Sequence, residues 1–247
     1  MGTAIVTGAG TGIGAASAKR LAAAGWNVAL VGRRAALLDQ TAAEIRKAGG
    51  RALSIAVDLA EAKAARTTIA RTLAEFGTID ALVNNAAVIK VMPLADFTTE
   101  ILDQHWAVNI RAPFLLIQAA LPSLQKQGGA VVNISSSSGT LLRPGQSVYG
   151  MTKHALEYLT RSLAGELAQQ KIRINALALG PVDKPIHETW ATDLKAAYVW
   201  LAGQVPLGRI ATADEIARWV EILVSPDSSW MTGAVIPLDG GQVLDIA

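Results

Sequence analysis

The chain has 247 residues, a formal net charge of +2 and no cysteine. Its 51% hydrophobic and 17% charged residues exclude intrinsic disorder and allow one large domain or two small ones. The lack of cysteine excludes disulfides, thiolate metal sites and cysteine nucleophiles, and the nearly balanced charge provides no basic tract for nucleic acid.

Short β-rich runs alternate with longer segments rich in Ala and Leu. The predicted strands are Thr3–Thr7, Asn27–Val31, Ala52–Val57, Ala81–Asn84, Ala130–Ser135, Arg173–Leu179 and Ala234–Leu238. The predicted helices are Gly14–Ala24, Ala35–Ala48, Ala60–Glu75, Thr99–Gln127, Val148–Gln169 and Thr212–Val224. Most strands are continuous apolar runs, which is typical of parallel strands covered on both faces. This alternation predicts an α/β fold, a doubly wound Rossmann-like parallel sheet of about seven strands, as a single domain over residues 1–247.

A region from about residue 180 to residue 209 interrupts this alternation with three prolines and three glycines. An excursion after a late parallel strand lies at the carboxyl end of the sheet, where ligands bind. We therefore interpret the region as a substrate loop or lid, with Trp190, Tyr198 and Trp200 as candidate pocket residues. Packing anchors or subunit contacts are the alternative for these three side chains.

The chain opens Met1–Thr7 without the basic and apolar regions of a signal peptide. The longest apolar stretch, Ala112–Leu124, is interrupted by two prolines and is too short to span a bilayer. These features predict a cytoplasmic protein with no membrane partner.

A glycine-rich turn, Thr7–Gly14, joins the first predicted strand to the first predicted helix. Glycine permits a tight turn and lets backbone N–H groups approach a pyrophosphate at the helix N-terminus, although a tight turn alone also favours glycine.

The second predicted strand is followed by Arg33 and Arg34, with no carboxylate beside them. An acidic residue there would bind a free ribose 2′-hydroxyl, whereas Arg binds a 2′-phosphate. We therefore predict NADP(H) rather than NAD(H); two solvated surface arginines are the alternative. Asp58, after the third strand, is a candidate acceptor for the adenine amino group or a loop-initiating residue.

Tyr149 and Lys153 are four residues apart at the start of a predicted helix, and therefore lie on one face. A nearby ammonium favours the phenolate, so we expect the pKa of Tyr149 to be lowered from about 10. By itself this spacing also fits a surface pair. Four serines, residues 135–138, end the preceding strand and place hydroxyls at the same edge of the sheet, unless they form only a serine-rich turn.

These motifs together resemble those of the short-chain dehydrogenase/reductase family, from Thr3 to Gly241. The matching set is Thr7-Gly8-x-x-x-Gly12-x-Gly14, Asn84-Asn85-Ala86-Ala87, Asn109, Tyr149-x-x-x-Lys153 and Asp239-Gly240-Gly241. The family's catalytic Ser precedes its Tyr by thirteen residues, a spacing that selects Ser136.

The resemblance implies a metal-free oxidoreductase that transfers a hydride between a nicotinamide and a carbonyl or secondary alcohol. Tyr149 would act as general acid/base and Ser136 would hydrogen-bond the substrate oxygen. Lys153 would bind the nicotinamide ribose, and Asn109 would maintain a helix kink and a proton relay. The expected cofactor-binding residues are Gly8, Thr11, Gly12, Ile13, Gly14, Arg33, Arg34, Asp58, Leu59, Asn85, Ala86, Ala87, Tyr149, Lys153, Gly180 and Val182.

A catalytically idle dinucleotide-binding sensor and a dehydratase or epimerase on the same fold are the alternatives. The four intact catalytic positions and the chain length favour a carbonyl reductase or alcohol dehydrogenase.

Three positions depart from the family pattern. Ala87 replaces a Gly, Leu179 replaces a Pro, and Lys184 replaces a Thr that binds the nicotinamide end of the cofactor. Candidate substrate-binding residues are Ser138, Arg143, His187 and Trp190. The cationic members predict a small or medium carbonyl compound with a polar or acidic end.

The relatives are generally homotetramers, so a homotetramer built through Thr99–Gln127, Val148–Gln169 and the last strand is expected. Apolar side chains on the second of these helices fit an interface or a core; they are Leu156, Leu159, Leu163 and Leu167. Trp106, Trp219 and Trp230 are likewise expected to be interface anchors or core residues.

Overall fold

The computed structural model describes residues 2–126, 128–183 and 193–244, with the side chain of Leu194 excepted. Within these residues seven strands form one sheet: β1 (Thr3–Thr7), β2 (Asn27–Gly32), β3 (Arg51–Ala56), β4 (Ala81–Asn84), β5 (Ala130–Ser136), β6 (Arg173–Leu179) and β7 (Val235–Leu238). The order is β3-β2-β1-β4-β5-β6-β7, and every neighbouring pair is parallel. The strand order reverses between β1 and β4, and such a reversal opens a crevice at the carboxyl ends of the strands. The predicted doubly wound sheet is confirmed.

Helices cover both faces of the sheet. They are α1 (Gly12–Ala23), α2 (Ala35–Lys47), α3 (Lys63–Phe76), α4 (Thr99–Trp106), α5 (Ala112–Leu124), α6 (Ser147–Leu167), α7 (Leu194–Gly203) and α8 (Ala213–Val224). Buried side chains of α1, α2 and α8 form one core cluster, and those of α3, α5 and α6 form the other. Successive strand residues point to opposite faces, so Val6 belongs to the first cluster and Ile5 to the second. Two apolar layers therefore enclose the sheet.

The segment predicted as one long helix, Thr99–Gln127, is divided in the structure. A π-helical turn, Ala107–Arg111, separates α4 from α5, and Gln127 lies outside the described residues. π-Turns inside α-helices commonly occur at functional sites. Hydrophobic periodicity did not predict this turn because it inserts one residue without changing which side chains are apolar.

The last helix begins where the sequence predicts. The Thr212 hydroxyl accepts a hydrogen bond from the Glu215 N–H at 3.3 Å, and the Glu215 carboxylate accepts one from the Thr212 N–H at 2.8 Å. This capping box satisfies two backbone donors that the helix itself cannot pair.

One helical stretch in the described residues, Thr99–Leu124, is long and apolar enough to cross a membrane by length and composition alone. Half of its most apolar window is buried within the protein. Leu116 and Ile117 of this stretch belong to a core cluster, as expected of a helix that packs on a sheet.

Candidate active site

The glycine-rich turn between β1 and α1 has a backbone that only glycine fits at several positions. Gly8 and Gly12 have φ values of +66° and +53°, in the left-handed region that side chains disfavour. A Cβ on Gly14 would lie 2.2 Å from the carbonyl oxygen of Gly8. Thr11 precedes α1 in an extended conformation, and its side chain does not cap the helix. This arrangement fits a phosphate group at the start of α1.

Beside this turn the carboxyl ends of the strands border a cleft of about 570 Å³, a size usual for small-molecule sites. Most residues predicted to bind the cofactor line it: Gly8, Thr11, Gly12, Ile13, Arg33, Arg34, Asp58, Leu59, Asn85, Ala86, Ala87, Tyr149 and Lys153. The lining also includes residues that were not among those predicted to bind the cofactor: Gly10, Gly32, Leu38, Val57, Val88, Val108, Ile134 and Ser135. Continuous apolar runs predict burial in these strands and loops but not which residues face the cleft.

Three residues predicted to bind the cofactor do not line this cleft. Gly14 packs against Gly8, and Gly180 lies against Asp239, whose Cα would be 2.7 Å from a Cβ at position 180. Val182 is fully buried and pairs with Ala211. Their contacts with a cofactor remain predictions.

The end of β4 is bound to the end of β1 by Asn85. The Asn85 side-chain amide donates to the Thr7 carbonyl oxygen at 2.8 Å, and the Thr7 hydroxyl accepts from the backbone N–H groups of Asn85 and Ala86 at 2.9 and 3.0 Å. The loop after β4 is therefore positioned directly against the glycine-rich turn.

At the outer end of the cleft, Arg34 lies beside the same turn. One of its guanidinium nitrogens donates to the Thr11 hydroxyl at 3.3 Å, and both Arg33 and Arg34 are exposed. Asp58 provides the single carboxylate among the described lining residues, and its side chain accepts a hydrogen bond from the Ala60 N–H at 2.9 Å. The rim thus offers two cations to an anionic group.

Ser136, Tyr149 and Lys153 come together where β5 ends and α6 begins. Tyr149 and Lys153 are 6% and 2% exposed, and the Lys153 ammonium lies 5.5 Å from the centroid of the Tyr149 ring. The ammonium also donates to the Ile134 carbonyl oxygen at 2.7 Å. Ser136 is the last residue of β5, and its hydroxyl lies near enough to Tyr149 to lower the pKa of that phenol.

The electrostatics of Tyr149 differ from the expectation. Burial raises its pKa to about 12, and the polar interaction with Ser136 opposes this rise. The sequence predicted a lowered pKa because it reveals the neighbouring ammonium but not the loss of solvent around the phenol. In this protein desolvation is the larger effect, so the phenol is the strongly favoured form.

Asn109 lies in the π-turn and is buried. Its side-chain oxygen accepts from the Val88 N–H at 2.9 Å, and its amide donates to the Val88 carbonyl at 3.0 Å and the Thr152 hydroxyl at 3.0 Å. Asn109 therefore connects the loop after β4 to α6, next to Lys153. The helix irregularity expected at this residue is present, and the proton relay remains a prediction.

Two of the four predicted substrate-binding residues, Ser138 and Arg143, lie in the described part of the chain. The Ser138 hydroxyl donates to the side chain of Gln146 at 2.9 Å, and Arg143 is half-buried, which lowers its pKa. Lys184, His187 and Trp190 lie outside the described residues. After this gap α7 begins, and the Tyr198 hydroxyl donates to the Asp183 carboxylate at 2.7 Å.

The sequence and the structure both match known oxidoreductases. The model of a family described as enoyl-(acyl carrier protein) reductase matches residues 8–242. L-Xylulose reductase from Bos taurus is 38% identical over 240 residues, which cover 96% of this chain and 95% of that protein. A short-chain type dehydrogenase/reductase from Mycobacterium marinum has a TM-score of 0.91 at 33% identity, with 98% of this chain and 95% of the other covered.

A second solved structure contains a cofactor. It comes from Beutenbergia cavernae, is described as an NAD(P)-dependent gluconate 5-dehydrogenase and has NADP bound at low occupancy. Its TM-score is 0.92 at 32% identity, with 99% of this chain and 97% of the other covered. The chain therefore belongs to the short-chain dehydrogenase/reductase family and is a nicotinamide-dependent oxidoreductase that acts on alcohols and carbonyl compounds.

Proposed function

We propose that this protein is an NADP(H)-preferring carbonyl reductase or alcohol dehydrogenase in which Tyr149 is the general acid/base. The observation that carries the proposal is that Tyr149 and Lys153 line one end of a cleft whose other end is a glycine-rich turn, with Ser136 next to Tyr149. An idle sensor would have no need for a buried phenol beside a serine and a lysine.

The nicotinamide, when bound, supplies or accepts the hydride. In reduction, the Tyr149 hydroxyl donates its proton to the carbonyl oxygen of the substrate as that oxygen becomes an alcohol. Ser136 donates a hydrogen bond to the same oxygen and stabilises its developing negative charge. The raised pKa of Tyr149 keeps the phenol protonated at neutral pH, so this direction starts from the required form.

In oxidation, Tyr149 must instead accept the alcohol proton. The interaction with Ser136 favours the phenolate that this step requires. The Lys153 ammonium lies 5.5 Å from the centroid of the ring. Asn109 positions the adjoining helix turn through Thr152, whose hydroxyl also donates to the Tyr149 carbonyl oxygen at 2.8 Å. We propose Asn109, Ser136, Tyr149 and Lys153 as the catalytic set.

The cofactor preference rests on charge at the rim of the cleft. Arg33 and Arg34 line the cleft beside Thr11, at the place where the adenosine ribose would lie. A 2′-phosphate would gain charge-assisted hydrogen bonds there, and the position lacks the carboxylate that binds a free 2′-hydroxyl. These features support NADP(H) over NAD(H).

The substrate proposal rests on Arg143, in the loop that connects Ser136 to Tyr149. Burial lowers the pKa of Arg143, and its guanidinium forms no ion pair with another residue in the described part of the chain. A desolvated cation is stabilised by a bound anion. We propose a small or medium carbonyl substrate with an acidic or polar end, with Ser138 and the undescribed His187 and Trp190 as further contacts.

We also propose a cytoplasmic homotetramer with a single domain. The apolar side chains that the sequence assigned to an interface or a core divide into two groups. Leu156 and Leu167 are buried in this chain, and therefore serve its core. Trp106, Trp219 and Trp230 are 45%, 37% and 102% exposed, which supports interface positions for them.

The experiment is a substrate screen with NADPH and NADH as separate cofactors. The panel contains neutral ketones, keto acids, sugars with a ketone group and an α,β-unsaturated thioester, the last because of the matching family's description. We expect turnover of a carbonyl compound with NADPH favoured. Cofactor binding without turnover of any compound would indicate the idle sensor, and turnover of the thioester alone would indicate reduction of a carbon–carbon double bond.

A further inference from the structure

The loop after β4 is attached to its surroundings at alternate residues. Val88 is bound through its N–H and carbonyl groups by Asn109, and the Met92 N–H donates to the Gly145 carbonyl oxygen at 3.0 Å. Between them the Lys90 N–H donates to the ring of His105 at 3.1 Å. Val88 also lines the cleft together with Tyr149. The position of this loop therefore determines the shape of the catalytic end of the cleft.

His105 occupies the last turn of α4 and is completely buried. Its Nδ1 atom lies 2.7 Å from the Ile101 carbonyl oxygen. A carbonyl oxygen can only accept a hydrogen bond, so Nδ1 carries the ring proton and Nε2 has the lone pair that accepts a hydrogen bond. This assignment follows from the hydrogen-bond network, since Lys90 provides a backbone N–H that can only donate. Both ring nitrogens are thus used, one within the helix and one on the loop.

We propose that His105 is a positioning residue for the reaction, which fixes the loop of residues 86–92 at Lys90 and so aligns the wall of the cleft beside Tyr149. The inference rests on the proposed function, because it concerns the geometry of substrate in that site. No motif in the sequence indicates this role, since the histidine contacts the loop through a backbone group fifteen residues away.

The buried ring acts through the loop and not by contact with the substrate. Asn109 fixes Val88 from the π-turn, and His105 fixes Lys90 from the preceding helix turn. Without the His105 acceptor, the loop between Val88 and Met92 would keep its end attachments and lose its central one. The Lys90 N–H would then turn toward water and carry the adjoining backbone with it. A displacement of this kind alters the substrate geometry more than it alters the glycine-rich turn, which Asn85 positions separately.

Two variants at His105 separate positioning from simple packing. His105→Phe keeps a planar ring and removes both nitrogen atoms, whereas His105→Gln keeps a side-chain oxygen that can accept from Lys90. Gln104→Ala, at an exposed position of the same helix, is the control for a general disturbance of α4. Each variant is compared with wild type in kcat and KM for the best compound of the screen, in NADPH dissociation constant, and in amide hydrogen exchange of residues 86–92.

We expect His105→Phe to lower kcat/KM by about tenfold or more, with a smaller change in NADPH affinity, because misplacement of the reacting groups costs rate. Exchange of the loop should accelerate in His105→Phe, and both properties should recover in His105→Gln. Unchanged kcat/KM in a folded His105→Phe protein, or a His105→Gln protein no better than His105→Phe, would overturn the proposal. If His105→Phe fails to fold, amide hydrogen exchange of residues 86–92 in His105→Gln that is as fast as in an unfolded chain would overturn the proposal.

The exchange measurement also separates this inference from the proposed function. If wild type turns over no compound, the proposed function fails, while faster loop exchange in His105→Phe still supports the attachment. If the amides of residues 86–92 in that variant exchange as slowly as in wild type, the proposed attachment of Lys90 to His105 is contradicted, whatever the activity.

Discussion

Gly14 is the position in the nucleotide turn where one added methyl group should have the largest effect. Its Cβ would lie 2.2 Å from the Gly8 carbonyl oxygen and 2.6 Å from the side-chain nitrogen of Asn85. Both neighbours are fixed: Gly8 by the turn, and Asn85 by its hydrogen bond to the Thr7 carbonyl oxygen. The change Gly14→Ala therefore forces the turn and α1 apart.

The size of the effect follows from these distances. An ordinary contact begins near 3.4 Å, so the Gly8 backbone must move by about 1 Å. Overpacking of rigid atoms costs about 3 kcal/mol, and the better helix propensity of Ala returns about 1 kcal/mol. The net loss of about 2 kcal/mol lowers Tm by about 4–8 °C in a chain of this length. If one charge-assisted hydrogen bond to a phosphate is also lost, NADPH binds about tenfold more weakly.

Thermal unfolding and NADPH titration of Gly14→Ala measure both effects. The matched control is Gly165→Ala, which adds the same methyl group at an exposed position of α6 where no atom lies within 4 Å. The control should gain about 0.5–1 kcal/mol of stability from helix propensity, with unchanged cofactor affinity. A Gly14→Ala protein with the Tm and NADPH affinity of wild type would refute the reasoning.

Three further changes test other parts of the account. Arg34→Ala should weaken NADPH binding by about tenfold or more and leave NADH binding unchanged, as measured by titration with each cofactor; equal weakening of both would contradict the 2′-phosphate assignment. Because burial raises the pKa of Tyr149 to about 12, wild type should lose folding stability as the pH rises above 10, and Tyr149→Phe should lose less in denaturant titrations across that range. Thr212→Ala should lower the free energy of unfolding by about 1 kcal/mol through loss of the capping box, and an unchanged Tm would contradict that value.

The fold was largely predictable because its signals are local and repeated. Continuous apolar strands, the helices between them and the Thr212 cap all depend on neighbouring residues. The division of Thr99–Gln127 was not predictable from local patterns, because Asn109 in the π-turn bonds to Val88 and Thr152, which are distant in sequence. A kink at Asn109 was expected only from the family resemblance.

The site was predictable in its residue types and less so in its energetics. The spacing of Tyr149 and Lys153 is visible in the sequence, whereas the burial that raises the pKa of Tyr149 depends on the packed structure. The role of His105 was missed for a related reason. Its side chain binds a backbone N–H, so it leaves no side-chain pattern in the sequence.

The most direct test of the central claim follows the hydride and the proton donor together. The best carbonyl compound of the screen is reduced with NADPH that carries deuterium at the transferable C4 position, using wild type and Tyr149→Phe. We expect deuterium at the new carbinol carbon with wild type, and transfer at least about 100-fold slower with Tyr149→Phe when both proteins are saturated with NADPH. Product without deuterium, or undiminished transfer by Tyr149→Phe, would contradict the account.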